Sequence, residues 1–153
     1  MTTPSPKPRR KAEQRAESLE QLLDAAEELF SQHGFYGVTI KDIADKVGVH
    51  KSLVHYYFTD KQDVFDKVIA RRAPITRGRR MDALDAYETS VGGKPTVEGA
   101  LRAFLDTDLD TYSNGGEGWL HFGVLAAQSN NTPAWGAELM DRLYDPVVLR
   151  LIG

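Results

Sequence analysis

The chain has 153 residues, 41% of them hydrophobic and 27% charged, with a formal net charge of −3, which is enough apolar mass to bury a core as one or two small domains. No run of about eighteen apolar residues exists and no apolar segment follows the basic N-terminus, so neither a membrane span nor a signal peptide is read, and a soluble cytoplasmic protein is expected. Cysteine is absent, which excludes disulfides, thiolate metal sites and a catalytic thiol.

The charge is divided along the chain. Residues 1–80 hold 15 Lys and Arg against 11 Asp and Glu, a balance of +4, while residues 81–153 hold 4 against 11, a balance of −7. A basic front half can lie on phosphates, and an acidic rear half would be repelled by them and suits another task.

Met1 to Ala12 contains Pro-Ser-Pro-Lys-Pro-Arg-Arg-Lys and has no apolar period, so residues 1–12 are expected to form a disordered basic arm. Its cations, with Arg15, suit a phosphate strand or a minor groove, although the same run also reads as a solubilising tail. A helix begins near Ala12 and is clear from Ser18, where Leu19, Leu22, Leu23, Ala26, Leu29 and Phe30 form one apolar stripe that Gly34 ends. Phe35 and Tyr36 are placed to plug the core before Gly37.

Thr39 to Phe58 reads as two short helices meeting at a glycine. Ile40, Ile43, Ala44 and Val47 recur at three- and four-residue steps and share a helix face. Thr39 with Asp42 three residues on approximates a capping box, and Gly48 can take the left-handed conformation that ends the helix and turns the chain. In the second helix Leu53 pairs with Tyr57 and Val54 with Phe58, which defines the buried side. At about 100 degrees per residue Lys51, Ser52, His55 and Tyr56 fall opposite and point outward together, offering groups that hydrogen-bond base edges and phosphates. The pattern is that of a helix-turn-helix packed on the first long helix, three helices sharing one core over residues 13–60.

Thr59 and Asp60 offer caps for a fourth helix, buried through Val64, Phe65, Val68 and Ile69, which Pro74 should interrupt or kink. Residues 61–80 carry seven cations against Asp63 and Asp66, and Lys61 at the helix start is assigned to a phosphate; the later arginines either face solvent or pair with the acidic rear half. From Met81 the pattern is helical, broken at Ser90 to Pro95 and at Asn114 to Gly116, with helices expected over 96–112, 117–129 and 133–152. Phe104, Tyr112, Trp119 and Phe122, then Trp135, Met140 and Tyr144, fill a helical core or line a cavity in it, and Leu125 and His121 fall among them.

Ala26 to Phe30, His33 to Phe35, Thr39, Ile43-Ala44, Gly48-Val49, Lys51, Tyr56 to Phe58 and Lys61 stand in the order and spacing of the tetracycline-repressor-like (TetR) transcriptional regulators, which the chain closely resembles over about forty residues. The resemblance implies an all-α protein: an N-terminal three-helix bundle with the helix-turn-helix, then a helical effector-binding and dimerisation domain over 61–153. It implies a homodimeric repressor that binds double-stranded DNA and leaves its operator when a small molecule binds, with no enzymatic activity and no cofactor or metal. Carried over residue by residue, Thr39, Lys41 and Lys61 are similar to phosphate contacts, and His50, Lys51, Ser52, His55 and Tyr56 to groove or backbone contacts. The effector pocket would be lined by Phe104, Tyr112, Trp119, His121, Phe122, Leu125, Trp135, Met140 and Tyr144. His50 stands where the family often has a capping serine, and His55 where it often has a tyrosine. Family members usually continue through two more helices that build the dimer interface, whereas this sequence stops at Gly153, so either it is a fragment or dimerisation uses other surfaces. Two other classes fit more loosely: a helical enzyme using His121 with Asp106, Asp108 or Asp110, and a ligand-free interaction module with a fortuitous helical corner.

Overall fold

The computed structural model describes residues 7–129, 136–137, 141 and 145–152, and these are helical apart from turns and caps. The helices are α1 (Lys7–His33), α2 (Ile40–Val47), α3 (Lys51–Tyr57), α4 (Lys61–Ser90), α5 (Val97–Asn114), α6 (Glu117–Ser129) and α7 (Asp145–Ile152). Trp135, Met140 and Tyr144, expected near an effector, lie outside the described residues. The chain divides into two compact units, Met1–Phe65 and Asp66–Gly153. The first turn of α4 belongs to the front unit because Val64 and Phe65 are buried there.

In the front unit the α1 stripe is nearly dry: Leu22, Ala26 and Phe30 have no exposed surface, and Ile43, Ala44 and Val54 are buried with them. Each fully buried large side chain contributes about 1.5–3 kcal/mol of transfer free energy. Phe30, Phe35 and Phe65 form an aromatic triangle, with ring centroids 5.3 Å apart for the two edge-on pairs and 5.9 Å for the stacked pair, which ties the loop after α1 to the start of α4. Lys46 of α2 adds an ion pair to Glu28 of α1 at 2.9 Å.

The disordered arm is corrected for Lys7 to Ala12, which form the first turns of α1. Pro8 sits in the opening turn, where no intrahelical N–H bond is required, and the Arg, Lys, Ala, Glu and Gln that follow are good helix formers. Nor does Pro74 interrupt α4, which runs continuously through it.

In the rear unit the α4–α5 turn uses Gly92 and Gly93, both at positive φ, and Thr96 caps α5 by accepting from the Gly99 N–H at 3.1 Å. Gly99 also has no room for a side chain: a Cβ there would lie 2.0 Å from the Tyr87 hydroxyl, which accepts from the Thr96 N–H at 3.0 Å. Leu84, Ala100 and Val147 form a small apolar cluster with Met81, Tyr87 and Phe104 packed against it, and Arg150 of α7 pairs with Asp85 and Glu88 of α4.

Among the described residues the largest fully buried side chain is Arg80. Its Nε and one terminal nitrogen each donate to a carboxylate oxygen of Asp108 at 2.8 Å, the same terminal nitrogen reaches the Tyr112 hydroxyl at 3.2 Å, and the guanidinium lies 4.8 Å from the Phe104 ring centre. Two-pronged pairing with an aromatic lid is the arrangement in which a dehydrated guanidinium is tolerated. Asp108→Ala is expected to cost about 3–5 kcal/mol in chemical denaturation because it removes the two-pronged carboxylate partner of a fully buried cation, whereas Arg80→Met with Asp108→Leu should recover most of the loss.

Candidate nucleic-acid interface

The α2–α3 corner is built by local chemistry at three points. At the start of α2 the Thr39 hydroxyl accepts from the Asp42 N–H at 3.1 Å, and the Asp42 carboxylate accepts from the Thr39 N–H at 2.8 Å and from its hydroxyl at 2.7 Å. This is the reciprocal capping box anticipated from the spacing. The Thr39 hydroxyl and N–H hold the Asp42 carboxyl below its ordinary value of 3.8. At the turn Gly48 adopts φ 78° and ψ 33°, and its N–H and that of Val49 close onto the Ala44 carbonyl at 2.9 and 3.0 Å. At the start of α3 the cap is His50: its Nδ1 accepts from the Ser52 N–H at 3.2 Å.

α3 has the two sides expected of it. Val54 and Phe58 are buried and Leu53 and Tyr57 half-buried, while Lys51, Ser52, His55 and Tyr56 are exposed, Tyr56 at 62%. The Tyr56 ring meets Tyr57 edge-on at 5.0 Å, which braces an otherwise free aromatic. Thr39 and Lys41 are also exposed, but both are engaged: the Thr39 hydroxyl proton goes to Asp42, and Lys41 pairs with Asp45 one turn on, which raises the lysine's pKa.

Lys61 is the residue whose surroundings the sequence left invisible. Its ammonium donates to the Phe35 carbonyl at 2.8 Å and lies 4.4 Å over the Phe35 ring and 5.9 Å from the Tyr36 ring centre. It therefore pins the α1–α2 loop to the start of α4. The partners are 26 residues apart, and one is a backbone oxygen, so no side-chain pattern announces the contact.

In the rear unit, the described aromatics of the expected effector pocket pack on arginines and on one another. Trp119 lies between Arg72 and Arg79, whose guanidinium carbons are 4.7 and 5.1 Å from its centre, and Phe122 meets both Tyr112 and Trp119 at ring distances of 6.3 and 6.1 Å. Phe122 and Leu125 are fully buried, and Phe104, Tyr112, Trp119 and His121 partly so. Asp108, one of the three carboxylates considered as an acid–base partner for His121, has both oxygens on Arg80.

A capped three-helix head with a glycine turn and a polar outward helix defines the helix-turn-helix class. Residues 22–68 match the model described as bacterial regulatory proteins, tetR family, and residues 102–153 match the tetracyclin repressor-like C-terminal domain. The HTH-type transcriptional regulator BetI of Agrobacterium fabrum is 32% identical over 111 residues, covering 72% of this chain and 52% of the relative. The HTH-type transcriptional activator FasR of Mycolicibacterium smegmatis is 30% identical over 87 residues, covering 56% of this chain and 38% of the relative. A crystal structure from Pseudomonas aeruginosa PAO1 shares the fold with a TM-score of 0.59 at 14% identity, covering 90% of this chain and 64% of that one. The chain belongs to the TetR family of bacterial regulatory proteins. It spans about half the length of the first of these relatives and less of the second.

The capping box makes a pH prediction with a definite sign. The Asp42 pKa is depressed on folding, so its contribution is complete above 3.8 and is lost as the pH falls through the lower folded value. Asp42→Asn should therefore remove part of the acid-induced loss of stability below pH 3.8, read by denaturation midpoints across pH, and should lower the midpoint at neutral pH.

Proposed function

We propose that the protein is a DNA-binding transcriptional regulator that acts as a homodimer, with α3 as the recognition helix and a small-molecule effector taken up by the rear unit to release the operator. The observation that carries this reading is the outward set of Lys51, Ser52, His55 and Tyr56 on a helix anchored from beneath by Val54 and Phe58. Those four side chains supply a cation, a hydroxyl, an imidazole and a phenol on one short helix, a set suited to base edges and flanking phosphates. The basic front half of the chain supplies the non-specific attraction that such binding needs.

Two copies of α3 enter successive major grooves about 34–36 Å apart, so the spacing between the heads is the quantity an effector must change. Repression is the mode assigned, because occupying an operator requires no surface beyond the head itself. Within the head, Lys41 and Lys61 serve the phosphate backbone with whatever donors their internal partners leave, and Thr39 acts mainly by fixing the start of α2. His50 stands beside the groove-facing set, to which His55 belongs. The effector reaches the aromatic cluster of Phe104, Tyr112, Trp119 and Phe122 beside His121 and Leu125, and it must displace arginines from aromatic faces to do so. Planar or apolar molecules suit that cluster, and the acidic balance of the rear half favours cationic ones.

A salt-dependent mobility shift with duplex DNA tests the reading, and its absence at low salt would contradict it. Lys51→Ala and Tyr56→Ala should weaken operator binding by about tenfold or more while leaving random-duplex binding nearly unchanged. Lys61→Ala should weaken both, reduce the salt slope by about one unit, and also lower the DNA-free melting temperature, because it removes the tie to Phe35.

A further inference from the structure

We infer that His50 fixes the Ser52 hydroxyl as a hydrogen-bond acceptor toward DNA, so that α3 selects a base carrying an exocyclic amine, adenine or cytosine, at the position Ser52 faces. The inference rests on the proposal that α3 reads the major groove, and it concerns which bases that helix accepts.

Proton placement decides which way the Ser52 hydroxyl bonds. The Ser52 N–H donates to His50 Nδ1 at 3.2 Å, which requires that nitrogen to be the unprotonated one and puts the ring's N–H on Nε2. The Ser52 hydroxyl oxygen lies 2.9 Å from the same nitrogen. An unprotonated nitrogen cannot donate, so the hydroxyl is the donor, and Nδ1 receives both Ser52 protons in a three-centre arrangement. A hydroxyl has one proton. With that proton committed inward, the exposed Oγ presents only lone pairs.

A serine free to rotate donates or accepts and so discriminates poorly among bases. A serine with its proton committed does discriminate. In the major groove adenine N6 and cytosine N4 offer N–H donors, whereas guanine O6 and thymine O4 offer acceptors that would face the Ser52 lone pairs unfavourably. A serine at the capping position would leave the direction of the Ser52 hydrogen bond open, because its own hydroxyl can donate as well as accept. The imidazole accepts at Nδ1 and sends its single N–H away from Ser52. Both residues are exposed, so the pair stands where a duplex can reach it.

The test uses the full chain and an operator selected from random duplexes. Each operator adenine is then replaced by purine, which lacks the N6 amine, and each cytosine by 2-pyrimidinone, which lacks the N4 amine. One position per half-site should lose about five- to tenfold in affinity when its amine is removed, the loss of one hydrogen bond, and Ser52→Ala should abolish the difference at that position alone. His50→Ala, which frees the hydroxyl to rotate, should narrow the preference for adenine or cytosine over guanine or thymine there while other positions keep theirs. A Ser52-dependent position occupied by guanine or thymine would overturn the inference, as would an amine dependence unchanged by Ser52→Ala at every position. Failure to bind any duplex in a salt-dependent way would overturn the regulator reading itself, and the two failures are distinct.

Discussion

Val54 and Phe58 are the constraint on which the front unit's surface depends. Both are essentially out of water, Val54 within α3 and Phe58 four residues on at its C-cap, so burying them fixes the helix in rotation as well as in position. With those two anchored, a seven-residue helix has no freedom left to choose which residues face outward. So short a helix is marginal by itself, and its helicity comes from the packing beneath it and the caps at its ends. The Gly48 turn sets where α3 begins, His50 closes its first turn, and the aromatic triangle of Phe30, Phe35 and Phe65 holds the first turn of α4 immediately beyond its end.

Much of this was legible because it is local. The Thr39–Asp42 capping box, the left-handed Gly48, the α1 stripe and the two faces of α3 all follow from residues within one or two helical turns of each other. Features that join distant residues were not. The arginines after Pro74 could be counted, but nothing in their composition says that Arg80 is the one taken out of solvent, because the selecting carboxylate lies 28 residues away. The Lys61 ammonium meets a backbone oxygen that no side-chain pattern reveals. His50 as a cap was hidden for a different reason: histidine is not among the residues that usually cap helices, and it serves only in the tautomer with Nδ1 unprotonated. The start of α1 was misplaced because a proline- and arginine-rich opening is compositionally close to a disordered tail, although Pro8 in a first turn favours a helix.

The rear unit shows the same division between pattern and chemistry. Its aromatic residues were recognised as a cluster, but a cluster of that composition fits an open cavity and a packed core equally well. Here the rings of Phe104 and Trp119 and the hydroxyl of Tyr112 serve the arginines of α4, which places cations where apolar neighbours were expected. Arg80 binds as a fork, with stem, charge and hydrogen-bond directions all matched, so lysine could not replace it.

That fork has a mechanical corollary. Sliding α5 along α4 by a single turn would carry Asp108 about 5.4 Å away from a guanidinium that has no water to turn to. Gradual slippage between these two helices is therefore penalised from its first ångström, in the way a toothed coupling resists shear. Any rearrangement inside the rear unit therefore has to carry Arg80 and Asp108 together as one lever.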